Sequence, residues 1–287
     1  MPETAKKGRL LLVGTPIGNL EDLSPRARQA LAEADAIFCE DTRVTAKLAA
    51  RFGLAADRIS CPAPRESSRA AELRRRLEAG QTVALVSDAG MPALSDPGER
   101  LVEVASAAGF PVFVIPGPSA PSAALALSGL PAVPHIFLGF LPSRSGERAR
   151  VLETLGPRPE TLVWFEAPHR LPESLEDAAR VLGPRRACVA RELTKLHEET
   201  LRATLPELAR HFRSSGPVRG EITVVVEGDR GKRPARSAAE VDGEILRRLA
   251  AGEEKRAIAR DVGAATGRPG REIYARAVRL ASRGKKR

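Results

Sequence analysis

Thr82-Val83-Ala84-Leu85-Val86, followed at once by Ser87-Asp88-Ala89-Gly90-Met91-Pro92-Ala93-Leu94-Ser95-Asp96-Pro97-Gly98, is the stretch whose reading sets the fold class. The first five residues form a continuous apolar run, the pattern of a strand buried on both faces. The next twelve hold two Asp, two Gly and two Pro, too many turn formers for a helix or strand interior. The segment predicts a shaped loop at the C-terminal end of a buried strand. In an open α/β sheet that is where ligands sit.

The same alternation extends in both directions. Apolar runs predict strands at residues 9–13, 36–39, 111–115 and 135–138, beside the one at 82–86. Amphipathic stretches predict helices at 25–34, 45–52, 68–78, 99–108 and 119–127, the first with Ser24 as N-cap and Pro25 at its first position. Strands alternating with helices imply a parallel, helix-covered sheet. A polar break at Ser143-Arg144-Ser145-Gly146-Glu147-Arg148 starts a new helix, and the rhythm resumes. Strands are expected at 161–165, 187–190 and 222–226, and helices at 172–182 and 206–212. After Gly228 the strands stop. Gly231-Lys232-Arg233-Pro234 reads as a linker, followed by helices at 238–250, 254–262 and 271–281, with a loose helix-turn-helix-like turn at Gly267-Arg268-Pro269-Gly270. The expected organisation is α/β: two α/β domains at 1–117 and 118–230, and a small helical domain at 231–287.

Composition narrows the function class. Of 287 residues 43% are hydrophobic, enough for sizeable cores. No apolar run reaches the ~20 residues of a membrane helix, and Met1–Lys7 is short and polar with no signal-peptide core behind it. A cytoplasmic protein is expected. Cys39, Cys61 and Cys188 form no CxxC pair, and His135, His169, His197 and His211 show no HExxH spacing, so neither a disulfide framework nor a metal site is expected. The net charge of +10 is concentrated at one end: residues 229–287 carry 17 Lys and Arg against 8 Asp and Glu, a net of +9. A basic appendage on a neutral body fits a polyanion partner, most simply nucleic acid, or a solubilising tail. Aromatic residues make up 3% of the chain, and the lone Trp164 falls in a predicted strand, so any grip on RNA should rest on charge rather than stacking. Arg74-Arg75-Arg76 reads as a solvated helix face and Lys285-Lys286-Arg287 as a frayed end.

Further loops follow the other strands. Gly14-Thr15-Pro16-Ile17-Gly18-Asn19-Leu20 is neither a Walker loop nor GxGxxG, but its glycines permit close backbone approach to a ligand. Glu40-Asp41-Thr42-Arg43 fits either a functional charge cluster or a helix N-cap with a surface ion pair. Pro116-Gly117-Pro118-Ser119-Ala120 opens a helix whose free amides suit an anionic group. Glu166-Ala167-Pro168-His169-Arg170, Arg191-Glu192-Leu193-Thr194-Lys195-Leu196-His197-Glu198-Glu199 and Arg219-Gly220-Glu221 complete the set. Parallel strands bring such ends to one edge and into one pocket.

In this order the loops resemble those of the tetrapyrrole methylase superfamily, over about residues 9–228. The match rests on GTPIGNL, EDTR, SDAGMPALSDPG, PGPSA, LGFLP at 138–142, EAPHR, RELTKLHEE and the GE before the last strand. It is nearest to the branch that acts on ribosomal RNA. The resemblance implies S-adenosylmethionine bound between two α/β domains, and 2′-O-methylation of a cytidine in 16S rRNA of the small ribosomal subunit by a homodimer. It implies that Asp88, Gly90 and Met91 flank the methionine or ribose part of the cofactor, that Ser119 and Ala120 contact it, and that Phe165, Glu166, Ala167, Gly220 and Glu221 close it in. Pro16 is implied near the transferred methyl. The chain departs from the family in carrying Met91 where Thr is usual, and Cys61-Pro62-Ala63-Pro64-Arg65-Glu66-Ser67 where a His/Asn/Glu-containing segment is usual.

Methyl transfer to a ribose hydroxyl needs alignment and either a base or a group that stabilises the forming alkoxide. Base candidates are Glu40, Asp41, Glu198 and Glu199; Lys195, Arg43 and Arg191 are the cations for an oxyanion or phosphates. Lys195 and Glu198 are favoured because they share the most charged loop, with Asp41 and Arg43 behind them; an ion pair between Lys195 and Glu198 is the structural alternative. Two other functions fit parts of the pattern: methylation of a tetrapyrrole of the precorrin or uroporphyrinogen type, and an RNA-binding module with no catalysis.

Overall fold

The computed structural model describes residues 8–229, 238–266 and 269–284. The polar start at 1–7, the linker at 231–234, Gly267 and Arg268 of the expected turn, and the tail at 285–287 lie outside the described residues. The chain divides into two compact units at Asp229.

The first unit holds two five-stranded sheets. The first sheet is built from β1 (Arg9–Val13), β2 (Ala36–Cys39), β3 (Asp57–Ser60), β4 (Thr82–Val86) and β5 (Val112–Ile115), in the order β3-β2-β4-β1-β5 with every pair parallel. All residues of β2 and β4 are buried, which is why both read as unbroken apolar runs. Helices α1 (Pro25–Ala32), α2 (Thr42–Phe52), α3 (Glu66–Glu78) and α4 (Glu99–Ala107) cover the sheet. Alternate strand residues face opposite layers: Leu11, Val13 and Ile37 pack with Leu31 and Leu48, while Leu10, Phe38 and Leu85 pack with Leu73, Leu77 and Leu101. Ser24 caps α1 through a bond accepted from the Ala27 N–H at 3.1 Å, with Pro25 in the first turn, as expected. Strand β3 escapes the sequence reading because it is an edge strand in which Ile59 alone is buried.

The second sheet comprises β6 (His135–Phe140), β7 (Thr161–Glu166), β8 (Arg186–Arg191), β9 (Glu199–Thr204) and β10 (Ile222–Val226), in the order β6-β7-β10-β8-β9. Here the expectation of a second parallel unit needs correction. The β6–β7 pair is parallel, but β10 is antiparallel to both β7 and β8, and β9 is antiparallel to β8. The cause is β9, which residues 199–204 form without a helix after β8. A chain that returns directly must pair antiparallel, so everything after that hairpin runs in reverse. Helices α5 (Ala120–Ser128), α6 (Ser145–Leu155), α7 (Leu171–Leu182) and α8 (Leu205–Ser214) flank this sheet. Ala124 and Leu125 of α5 join Val163, Cys188 and Val225 in one core layer, and Trp164 is fully buried in the other. All three cysteines are buried, and burial raises their thiol pKa values, that of Cys61 to about 11.

The reversal has a useful result. Ile222 at the start of β10 is in register with Glu166 at the end of β7 and Arg191 at the end of β8. Three loops, after β7, after β8 and before β10, therefore share one edge. Behind them, Arg148 is 1% exposed and its Nη2 lies 2.6 Å from Asp177, while its Nη1 donates to the carbonyls of Pro142 and Ser143. That pair ties α6 and α7 to the segment leaving β6.

The second unit packs α9 (Ala238–Ala250), α10 (Lys255–Thr266) and α11 (Gly270–Gly284) around Val241, Ile245, Ile258, Val262 and Ile273. Ion pairs of Arg276 with Asp242 and of Arg248 with Asp261 link its helices, and Lys255, Arg256, Arg271 and Arg279 are exposed. Among the described residues no helix is long and apolar enough to cross a membrane.

Asp177→Ala should strand the Arg148 guanidinium in the interior and lower the unfolding free energy by about 3–5 kcal/mol. Urea denaturation at neutral pH reads this directly. Burial raises the Asp177 pKa, but the hydrogen bonds from Arg180, Ser145 and Arg148 outweigh it and hold the carboxyl below its ordinary value. Its contribution is thus complete above the ordinary carboxylate range and is lost as pH falls through the lowered pKa, so the deficit of the variant should shrink in acid.

Candidate active site

The loops after β1 and β4 are stitched together by main-chain bonds. The Thr15 N–H donates to the Gly90 carbonyl at 2.8 Å and the Gly90 N–H returns to Thr15 at 3.1 Å. The Thr15 hydroxyl adds a bond to the Ser87 carbonyl. Gly90 has φ +84°, and Ala93 and Ser95 are also in the left-handed region, so the 87–98 loop is held in a shape that few residues adopt freely. Gly14 and Gly117 approach so closely that a Cβ on Gly14 would lie 2.6 Å from the Gly117 Cα and 2.7 Å from the Met91 Sδ. Met91 therefore packs directly on the first loop.

Between these loops and the shared edge of the second sheet lies a cavity of about 380 Å³. One side is formed by Gly90, Met91, Asp96, Ser119 and Ala120; the other by Phe165, Glu166, Ala167, Gly220 and Glu221. Ile17, Ala190 and Leu193 supply apolar wall. Nine of the expected cofactor residues come together here. The other two, Pro16 and Asp88, line an adjoining cavity of about 340 Å³ together with Thr15, Lys47 and Lys195. Ile17, Ala89 and Glu221 line both cavities and form the seam between them.

The charged candidates separate clearly. Lys195 stands at the seam, its Nζ 2.9 Å from Glu192 Oε1 and 3.1 Å from Glu221 Oε2. Burial lowers its pKa, but the bonds and charges of these two carboxylates more than reverse that, so it remains an ammonium ion. Glu198 does not pair with Lys195. Its carboxylate accepts from the Thr194 N–H at 2.7 Å, it is exposed, and it lines neither cavity. The hairpin turn between β8 and β9 draws Glu198 back onto its own main chain. Asp41 and Arg43 pair with each other at 2.6 Å while Asp41 caps α2, and they also line neither cavity. The side-chain and main-chain bonds from Arg43 pull the Asp41 pKa down to about 2, which makes it a weak base. Arg191 is likewise paired with Glu199 at 2.9 Å.

Three residues without an expected role belong to the site. Asp96 lines the first cavity, where burial raises its pKa against the bond from the Ser87 hydroxyl. Phe140 faces the same space, its ring 5.5 Å from that of Phe165. Glu192 holds Lys195. Asp96 sits in the turn-rich 87–98 loop and Phe140 at a strand end, settings that were a usable signal. Glu192 meets Glu221 only through the antiparallel pairing of β8 and β10, which no local pattern reports. Burial also raises the pKa of Asp88, and with the charges of Asp88, Asp96 and Asp41 that of Glu40. Glu166 is buried, 3.2 Å from Arg170, and its Oε2 has no hydrogen-bond partner among the described residues.

A family model described as Tetrapyrrole (Corrin/Porphyrin) Methylases matches residues 9–209. The chain is 46% identical over 223 residues, 78% of its length, to a Ribosomal RNA small subunit methyltransferase I of Halalkalibacterium halodurans, covering 77% of that protein. It is 42% identical over 281 residues to the protein of the same name from Mesorhizobium japonicum, covering 98% of this chain and 95% of that one. The crystal structure of the methyltransferase CobJ superposes with a TM-score of 0.58 at 21% identity, over 79% of this chain and 96% of that one, and so shares the fold.

The raised pKa of Asp96 means that its ionised form is penalised in the folded chain. Stability is then lost as pH rises from the ordinary Asp value, about 3.9, through the raised one. Asp96→Asn should unfold at the same temperature as the parent near about pH 3 and at a higher temperature at neutral pH without ligand. Thermal denaturation across that range reads the difference.

Proposed function

Since the chain belongs to the tetrapyrrole methylase family, we propose that it transfers a methyl group from S-adenosylmethionine to the 2′-hydroxyl of a cytidine in 16S rRNA of the small ribosomal subunit. The observation that carries this reading is the similarity to the small-subunit rRNA methyltransferases, which with the Mesorhizobium japonicum protein extends over 98% of the chain and takes in the basic helical unit. A uroporphyrin-III-C-methyltransferase of Thermus thermophilus shares the fold at a far lower 20% identity, with a TM-score of 0.55.

The first cavity suits the cofactor by its chemistry. S-adenosylmethionine carries a sulfonium and an ammonium against one carboxylate, a net charge of +1, and an apolar-faced adenine. The cavity offers the Asp96 carboxylate and the rings of Phe140 and Phe165. When bound, the sulfonium supplies an activated methyl group and a good leaving group. What remains for the protein is alignment and charge. The adjoining cavity takes the acceptor ribose. Lys195, fixed at the seam as an ammonium ion, stabilises the negative charge that develops on the 2′-oxygen. Glu221 receives the hydroxyl proton in this reading, supported by its lining both cavities and its ion pair with Lys195. Glu198, by contrast, serves the turn that presents Lys195.

The helical unit and tail, net +9 over residues 229–287, supply phosphate contacts to the RNA. Assembly as a cytoplasmic homodimer belongs to the same reading. The open β5 edge, with Phe113 and Val114 more than half exposed, is an apolar strand edge suited to a second copy.

Incubation with methyl-labelled S-adenosylmethionine and small ribosomal subunits should place label on a cytidine ribose, whereas a porphyrinogen should remain unlabelled; label in the porphyrinogen instead would assign the tetrapyrrole reaction, and no label at all a binding module. Lys195→Ala should slow single-turnover transfer by about 100-fold while S-adenosylmethionine still binds. Deleting residues 230–287 should weaken RNA binding and flatten the dependence of log affinity on log salt, by about 0.7 for each single-strand phosphate that the shortened protein no longer neutralises. A titration series at several salt concentrations gives that slope.

A further inference from the structure

Lys195 owes its place to a residue that lines neither cavity. We propose that Glu192 is a positioning residue for methyl transfer: its Oε1 holds both the Lys195 ammonium and the Glu221 main chain at the seam, and its negative charge acts on the reaction through Lys195. This rests on the role given to Lys195 above.

The geometry is specific. Glu192 Oε1 accepts from Lys195 Nζ at 2.9 Å and from the Glu221 N–H at 2.8 Å, so one oxygen ties the turn after β8 to the start of β10. The main chain repeats the link, with the Glu192 N–H donating to the Glu221 carbonyl at 2.9 Å and the Lys195 N–H to the Glu192 carbonyl at 3.0 Å. Glu192 reaches this position with φ +51°, a conformation few non-glycine residues keep without tertiary support. Its side chain also needs Gly220: a Cβ there would lie 2.4 Å from Glu192 Cγ and 2.6 Å from Oε1. The stem of Lys195 is held in turn against Gly18, where a Cβ would come within 2.5 Å of Lys195 Cγ.

Glu221 cannot replace this support. Its side chain is 68% exposed, against 21% for that of Glu192, so its attraction for Lys195 is screened by water. Without Glu192 the ammonium keeps a partner but loses the one that fixes its direction. Lysine has four rotatable side-chain bonds, so a small loss of restraint moves the charge away from the reacting oxygen.

A double-mutant cycle tests the inference, with single-turnover methyl transfer to small ribosomal subunits at saturating protein and S-adenosylmethionine. The four proteins are the parent, Glu192→Gln, Lys195→Ala and the double variant. Glutamine keeps the size of the side chain and an oxygen for the Glu221 N–H, so folding is preserved; the thermal midpoint and S-adenosylmethionine affinity provide the check. Glu192→Gln should lower the rate by about tenfold while cofactor affinity stays within about twofold, and in the Lys195→Ala background it should change the rate by less than about twofold. Rate losses that multiply in the double variant, or a parental rate for Glu192→Gln, overturn the positioning role and leave that of Lys195 standing. A parental rate for Lys195→Ala overturns the role of Lys195, and this inference with it.

Discussion

Gly18 of the first loop lies against the aliphatic stem of Lys195 at a separation that leaves no room for a side chain. Next to it the Asn19 N–H donates to the Thr194 hydroxyl at 3.0 Å, and Ile17 enters the same core layer as Leu193 and Val225 of the second sheet. Through these three neighbours the loop after β1 is seated on the hairpin turn between β8 and β9. Both cavities border this junction, and Ile17 forms part of the wall of each. If the junction were looser, Lys195 would have no defined position relative to the loops of the first sheet. The left-handed conformations of Glu192 and Thr194 are understandable as the local cost of presenting that turn, offset by the packing and hydrogen bonds it makes.

The electrostatics of the two sides differ. Burial and mutual repulsion raise the pKa values of Glu40, Asp88 and Asp96, so the loops of the first sheet hold more negative charge than their surroundings neutralise. On the second sheet the charges are matched: Arg191 with Glu199, Lys195 with Glu192 and Glu221, Arg170 with Glu166. An uncompensated carboxylate is unfavourable in the empty site and favourable beside a cationic ligand. At Asp96, which lines the first cavity, the same imbalance suits a sulfonium.

The local signals were strong where strands are buried on both faces and where loops are rich in Gly, Pro and Asp. β1, β2, β4 and β10 occupy the residues their apolar runs mark, and nine of eleven expected cofactor residues gather round one cavity. The signals were weak at the edges. β3 and β9 are edge strands with little buried surface, and neither carries an apolar run. Missing β3 cost nothing for the site. Missing β9 hid the reversal of β10, and with it the meeting of Glu192, Lys195 and Glu221.

The chain by itself thus determined the α/β class, the loops that carry the site, the basic C-terminal end and the family resemblance, because each depends on short-range patterning or on residue identity at fixed spacing. Asp41 and Arg43 neutralise each other locally on a helix cap, one of the two readings their spacing left open, and Glu198 folds back on its own turn. Tertiary structure alone decided the longer pairing, in which Glu192 crosses to Glu221 and holds Lys195 at the seam. That pairing depends on strand direction and on contacts between residues far apart in the chain, such as Asn19 and Thr194, 175 positions apart. Such pairings are set by packing of the whole unit, and sequence periodicity carries no record of them.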